Sequence, residues 1–351
     1  MEKYDVIEDK VVYPREEVKE ALMIPADHVL EILRQHPEVQ SKFKEYISAD
    51  IFAKLGDIQF RDSEEYASLI ANIDSIGQTN LDTLETLGSE IIYKDFSGNL
   101  KKYLDENEIK ASVENLEESV KRTHILPLDI YRYEALKLKY GLSVGSGAKA
   151  FYIPTFDCVV VNLHGTEFGG GKLDPDTLFM LHCEIINGVL SHELLHSVAY
   201  QNLWSITDVE KSNNTVADRR SGISAKRPDG NEKLVQLNEA ITQKIALDIL
   251  APVFTYPPAQ FKNDLAKFSR REFSEKTYKN EREVLDYLLK KIDWRLFLKA
   301  YFEKHELLDL GREIEKQFGV TLKEISESMK KEISMDSVTT YPETKKLLSN
   351  Q

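Results

Sequence analysis

Apolar residues recur at helical spacing through the first 140 residues of the chain. Pro14 followed by Arg-Glu-Glu-Val predicts a helix that starts near residue 15. Apolar positions three and four residues apart recur over 29–33 and 43–55, which favours two further helices. The same pattern predicts helices near 63–76, 112–123 and 127–140. This part of the chain is therefore expected to be mostly helical.

The pattern changes after Tyr140, where glycines interrupt the helical spacing. The β-branched and apolar segments 152–153 and 158–161 flank Thr155-Phe-Asp, which has the composition of a turn. Proline lacks the N–H group of a central strand, so Pro154 indicates an edge position. We therefore expect a β-hairpin here, with one strand at the edge of a sheet.

Turn signals and helix signals alternate along the rest of the chain. Arg227-Pro-Asp-Gly predicts the turn of a second hairpin that spans 219–236. Three helical stretches are predicted as well: from Asp174-Pro175 toward Tyr200, from Glu239 to about Leu250 with Asn238 as its cap, and from about 263 to 335 as several amphipathic helices. Helix-rich regions around short strands indicate an α+β fold.

Composition limits the classes of function. The chain has 351 residues and a net charge of −13, which disfavours nucleic acid and anionic lipid as partners. Residues 1–100 carry 10 Lys and Arg against 21 Asp and Glu, a net charge of −11, so the remaining 251 residues carry −2. This asymmetry predicts an acidic, mostly helical N-terminal region over 1–125 that is distinct from the rest of the chain, which we divide into a domain over 126–325 and a C-terminal tail over 326–351.

Other features of the sequence concern compartment. No apolar run is long enough to span a membrane, and the acidic N-terminus does not resemble a secretory signal. The two cysteines, Cys158 and Cys183, lie among apolar residues and are too few for a disulfide framework. We therefore expect a soluble cytoplasmic protein with buried thiols.

The candidate chemistry lies in His192-Glu193-Leu-Leu-His196. Residues four apart lie on the same face of a helix, so His192 and His196 can bind one metal ion together. Glu193 follows the first of these ligands and can reach water at an open coordination position. There it could accept the proton of that water and pass it to a leaving amine.

A catalytic zinc site needs a third protein ligand, and Glu239 is the candidate. It starts a predicted apolar helix, which would place its carboxylate between the core and a cavity. An acidic residue in the first turn also complements the helix dipole, so Glu239 alone has a purely structural explanation. Its combination with His192 and His196 favours the role of a ligand.

The two histidines with Glu193 and the segment around Glu239 together resemble the motifs of a known enzyme family. His192-Glu193-x-x-His196 followed 43 residues later by the Glu239 of Asn238-Glu-Ala-Ile-Thr242 resembles the gluzincin-type zinc metallopeptidases of the zincin superfamily. The likeness is closest to uncharacterised bacterial zincin-like proteins, and it is specific over about 185–250. It implies a zincin-like catalytic domain with a small mixed sheet and an active-site helix, Zn²⁺ bound by His192, His196 and Glu239, and Glu193 as the general base.

The same resemblance suggests roles for two further features. In zincins an edge strand above the active-site helix pairs with the extended substrate, and the strand near 152–162 could serve in this way or be an ordinary sheet strand. A group that stabilises the oxyanion is expected opposite Glu193. Tyr278 in Tyr278-Lys-Asn-Glu resembles a segment of the zincin-like proteins and is our candidate, with Tyr256 as the other tyrosine that follows the third-ligand helix.

These observations predict a zinc-dependent metallopeptidase, an endopeptidase that hydrolyses peptide or protein substrates. The alternative is a catalytically silent zincin-like protein with a regulatory or binding role and a retained metal site. Glu193 discriminates between the two, because a structural metal site has no need of a general base.

Overall fold

A computed structural model provides the structure of most of the chain. The description covers residues 4–7, 14–38, 47–87, 89–109, 116–140, 150–153, 156–162, 189–207, 215–226, 232–250, 278–303, 306–333 and 340–349. The strands are β1 Tyr4–Ile7, β2 His124–Leu128, β3 Ala150–Ile153, β4 Cys158–Asn162, β5 Gln201–Thr207, β6 Thr215–Ser221, β7 Ser224–Lys226 and β8 Glu232–Lys233.

Helices account for most of the described residues. In the N-terminal part they are α1 Arg15–Leu22, α2 Ala26–Gln35, α3 Ala49–Lys54, α4 Ile58–Arg61, α5 Glu64–Leu87, α6 Ser89–Glu106, α7 Leu116–Arg122 and α8 Ile130–Lys139. Toward the C-terminus they are α9 Ser191–Val198, α10 Val235–Leu250, α11 Lys279–Leu289, α12 Trp294–Phe302, α13 Leu307–Phe318, α14 Leu322–Ile333 and α15 Pro342–Ser349.

The chain forms two compact units that interleave in sequence. The first comprises 1–11, 93–121 and 194–351, and the second comprises 12–92 and 122–193. The division falls between Glu193 and Leu194, within the continuous helix α9. The division has four junctions, at 11/12, 92/93, 121/122 and 193/194, and the third lies close to the predicted boundary near residue 125. The separation of residues 1–125 as one region stays a prediction, because the second unit contains residues from both sides of that boundary.

The second unit contains a three-stranded sheet in the order β2-β4-β3. Strand β4 pairs in parallel with β2 and antiparallel with β3, so the predicted hairpin of β3 and β4 is confirmed. Helix α2 packs against α8, and α5 packs against β2. Their apolar side chains share one core with those of the sheet, and this core includes Val29, Leu33, Leu136 and Val160.

The first unit is built around α10. This helix packs against α11, α12, α14 and strand β7. An antiparallel sheet in the order β1-β5-β6-β7-β8 completes the unit. Helix α15 packs against α11 and α14, so the segment predicted as a C-terminal tail contains a helix with buried residues such as Leu348.

Most of the predicted elements that lie in the described residues are confirmed. The helices near 15, 29–33, 63–76, 112–123 and 127–140 are present, and α11 to α14 fall within the predicted helical region. The sequence pattern does not predict strands β1, β2 and β5. At a coarse level the fold is mostly helical with small sheets, as expected for an α+β protein.

Two predicted features lie wholly or partly outside the description. The turn at Arg227–Gly230 and most of the helix from Asp174 lie outside the described residues. The second predicted hairpin is confirmed by its strands, because β7 and β8 pair antiparallel on either side of residues 227–231. A tight turn at Gly222 and Ile223, between β6 and β7, is a further feature that the sequence pattern does not predict. In the part of the chain that the structure describes, no helix combines the length and apolar character needed to cross a bilayer.

Candidate metal centre

Helix α9 presents the two predicted histidine ligands one turn apart. His192 is 5% exposed, and the His196 side chain is 13% exposed. Leu190, Leu194 and Leu195 are fully buried around them. Burying two imidazoles on an otherwise apolar helix is costly unless they have partners, which favours a functional reason for their presence.

The C-terminal end of α9 is held by hydrogen bonds to its last carbonyl groups. The Gln201 side-chain amide donates to the carbonyl oxygen of His196 at 2.8 Å. The Ser197 hydroxyl donates to Leu194, and the Ala199 N–H donates to Leu195. These bonds satisfy carbonyls that a helix end would otherwise leave open, and they fix the turn that carries His196.

Helix α10 carries Glu239, but it starts four residues earlier than predicted. Leu234 adopts a left-handed conformation with φ of 60°, and the helix follows from Val235. Asn238 is therefore not the cap; it lies inside the helix, and its side-chain oxygen accepts the N–H of Ile223 at 3.0 Å. Glu239 consequently lies beyond the first turn, where the helix dipole gives a carboxylate less stabilisation.

The three predicted ligands converge. One potential ligand atom from each of His192, His196 and Glu239 lies within 4.8 Å of the others. His196 Nε2 and Glu239 Oε2 are 3.4 Å apart, longer than a typical charge-assisted hydrogen bond. Two ligands at the zinc bond lengths of about 2.0–2.1 Å from a tetrahedral ion are separated by about 3.4 Å. The spacing and the donor set therefore fit Zn²⁺.

Glu193 lies on the same helix next to His192 and is half-buried. Near it lies a residue that the sequence pattern does not single out, Tyr133 on α8, which is 1% exposed. Burial, followed by the charge of Glu193, raises the pKa of the Tyr133 hydroxyl well above its usual value. Tyr133 thus remains protonated at neutral pH, and it interacts electrostatically with the candidate base.

No local signal in the sequence identifies Tyr133 as part of the site. It lies on a helix that follows β2, and β2 itself has no clear strand pattern. The ring of Tyr133 packs against Phe151 of β3, with the ring centroids 5.1 Å apart. Only the pairing of β2, β3 and β4 places this helix beside the hairpin.

Tyr278, the predicted stabiliser of the oxyanion, immediately precedes α11. It is half-buried and has a left-handed backbone with φ of 49°. Helix α11 packs against α10, which carries Glu239. The group of three ligands does not include Tyr278, and its catalytic role stays a prediction. Tyr256 lies outside the described residues.

Known proteins add no assignment to this site. Comparisons with protein-family models, with curated proteins and with solved structures find no match to this chain. Any function must therefore be inferred from the residues of the site and their geometry.

Proposed function

We propose that this protein is a zinc-dependent metallopeptidase of the gluzincin type. The observation that carries the proposal is the convergence of His192, His196 and Glu239, with Glu193 in the same turn of helix as His192. Two imidazoles and one carboxylate form a typical protein ligand set of catalytic zinc, which leaves one coordination position open. The predicted substrates are peptides or proteins, cleaved within the chain.

Zinc at this site would supply Lewis-acid chemistry, polarising a carbonyl group and making water acidic enough to react near neutral pH. The protein's own contribution is the transfer of protons. Glu193 accepts a proton from water and later donates it to the nitrogen of the leaving amine. Because Glu193 is not one of the three ligands, its carboxylate remains available for this transfer.

Other groups assist this chemistry. Tyr133 stays protonated at neutral pH, so it does not compete with Glu193 for the transferred proton. Tyr278 is proposed to stabilise the developing oxyanion, a role that a phenol donor can fill. Strand β3 lies on the outer side of its sheet among the described strands, so its backbone could pair with an extended peptide.

A cytoplasmic location is part of the proposal. The chain has two cysteines, and the thiol of Cys158 is fully buried in β4. Burial raises the pKa of this thiol, which keeps it protonated and unreactive. A thiol of this kind is consistent with a reducing compartment.

The test is hydrolysis of a peptide library by the zinc-loaded protein and by its Glu193→Gln variant. Glutamine keeps the size of the side chain but cannot accept the proton, so hydrolysis should fall by at least ~100-fold while zinc content stays the same. A substrate must first be found that the wild type cleaves and the chelator-treated protein does not. Cleavage of that substrate by Glu193→Gln at the wild-type rate would contradict the mechanism.

A further inference from the structure

Tyr301 on α12 connects the two helices that carry His196 and Glu239. Its side chain is fully buried. Its hydroxyl lies 2.9 Å from the Thr242 hydroxyl on α10, and its carbonyl oxygen accepts the N–H of Tyr200 at 3.0 Å. Tyr200 lies two residues after the end of α9. One residue thus contacts both ligand-bearing helices or their immediate continuation.

The direction of the hydroxyl bond follows from counting protons. The Thr242 hydroxyl has one proton, and it donates this proton to the carbonyl oxygen of Asn238 at 2.8 Å. Tyr301 must therefore donate to Thr242. Asn238 and Thr242 lie four residues apart and therefore on the same face of α10. The hydrogen bond from Tyr301 thus restrains this face of the helix.

The turn between β6 and β7 holds the same face of α10. The Asn238 side-chain oxygen accepts a hydrogen bond from the N–H of Ile223 at 3.0 Å. The N–H of the neighbouring Gly222 donates to the carbonyl oxygen of Tyr200 at 2.8 Å. Gly222 also lies against the ring of Tyr301, because a Cβ placed on it would come within 2.8 Å of that ring. The turn, Tyr301 and Asn238 therefore form one packed contact.

Arg220 makes further contacts with the same group of residues. Its Nε donates to the carbonyl oxygen of Gly222 at 2.8 Å, and its Nη2 donates to that of Ala300 at 2.7 Å. The guanidinium lies over the Tyr200 ring at 4.6 Å from the centroid. These contacts join the end of α12, the turn and the segment that follows α9.

We propose that Tyr301 is a positioning residue for the metal centre, acting through Thr242 and Tyr200 to set Glu239 against His196. This inference rests on the proposed zinc site. Glu239 lies next to Asn238, about 100° further around α10, so the contacts on the Asn238 face fix the direction of the carboxylate. With side chains that extend about 5–6 Å from the helix axis, a rotation of about 10° moves their ends by about 1 Å.

A displacement of that size matters for a metal ligand. Metal–ligand distances must be held to about 0.2 Å, so a rotation of a few degrees is enough to weaken the site. Tyr301 therefore acts without contacting the metal, since it restricts the motion of the helix that supplies the third ligand.

The experiment measures zinc affinity of the full chain by competition with a chromophoric chelator. The variants are Tyr301→Phe, which removes only the hydroxyl, and Thr242→Val, which removes its partner. We expect each to raise the Kd for zinc about tenfold, the lower range for loss of a residue that supports a ligand. The double variant should be little worse than either single one, because both remove the same bond.

The matched control is Tyr341→Phe. Tyr341 is also fully buried, and its hydroxyl donates to Glu281 of α11 at 2.8 Å. It loses a charge-assisted bond that involves neither ligand-bearing helix, so its zinc affinity should stay within about twofold of the wild type while its thermal stability falls at least as far as in Tyr301→Phe.

The outcomes separate this inference from the proposed function. If Tyr301→Phe binds zinc as tightly as Tyr341→Phe while Glu239→Ala loses zinc, the positioning role is wrong and the metal site stands. If the wild type binds no zinc, the proposed function fails first. If both tyrosine variants lose the same affinity, the effect is general destabilisation, which also overturns the role of Tyr301.

Discussion

Replacement of Gly222 by alanine should strongly destabilise the first unit, although it adds only one methyl group. Gly222 has φ of +57°, and a Cβ at this position would lie 2.5 Å from Asn238 Oδ1 and 2.8 Å from the Tyr301 ring. Neither neighbour can withdraw easily, because both are almost fully buried. The turn therefore requires glycine for its conformation and for the space.

The magnitude follows from two contributions. An L-residue in the left-handed region costs about 1–2 kcal/mol. Forcing a methyl group into a packed core costs about 1–3 kcal/mol more, which gives a loss of roughly 2–5 kcal/mol. With about 2.1 cal/mol/K of unfolding entropy per residue over 351 residues, Tm should fall by about 3–7 °C.

The control is the same substitution at Gly98 of α6. This glycine is exposed, and a Cβ on it would meet nothing within 4 Å. Alanine should stabilise the helix there by about 0.5–1 kcal/mol, so the sign of the effect reverses. Differential scanning calorimetry measures both variants. An unchanged Tm for Gly222→Ala would refute the described packing of Asn238 and Tyr301 around the turn.

Three further predictions concern other parts of the chain. Hydrogen bonds from Arg34, Gln35 and Arg61 lower the pKa of Glu31 to about 2, so its ionised form stabilises the fold above its unfolded value of 4.5. The Tm difference between wild type and Glu31→Gln should therefore have its largest value at pH 7 and should shrink as pH falls from 4.5 toward 2. A Tm difference that does not depend on pH would contradict this prediction. Tyr278→Phe should lower hydrolysis by about 100-fold without loss of zinc, and unchanged hydrolysis would remove its catalytic role. Limited proteolysis should cut between α6 and α7. The two fragments should stay together in size-exclusion chromatography, because residues on both sides of the cut share one core. Separation of a stable N-terminal fragment would instead support a domain boundary near 125.

Local signals in the sequence are sufficient to predict many helices and two hairpins. These signals extend over one or two turns of helix, as at the Pro14 start of α1. On α2 the apolar residues Val29, Leu30 and Leu33 are buried, as their spacing predicts. The hairpin of β3 and β4 is similarly accessible, because its strands are β-branched and its turn is short.

Such local signals do not predict which distant segments of the chain pair with one another. Tyr4–Ile7 pairs with β5 about 200 residues away, and neither segment contains a turn signal that points to the other. The true start of α10 escapes prediction because Leu234, a residue that seldom takes a positive φ, adopts one there. The expected cap Asn238 is used instead in a tertiary contact with Ile223, which no local pattern could reveal.

The candidate site can be predicted more completely than the fold. The spacing of His192 and His196 fixes their common face as soon as the segment is helical, and Glu239 is the acidic residue near the start of an apolar helix. The sequence does not reveal the support around these ligands. Tyr133 and Tyr301 lie on helices remote in sequence, and only tertiary packing brings them near the site.

The most direct test of the central claim is the zinc content of the purified protein, measured by mass spectrometry of the metal. We expect about one zinc per chain in the wild type and in Glu193→Gln. His196→Ala and Glu239→Ala should each lose most of it, because each removes one of the three proposed ligands. Stoichiometric zinc retained in both of these variants would contradict the assignment of His192, His196 and Glu239 as the metal centre.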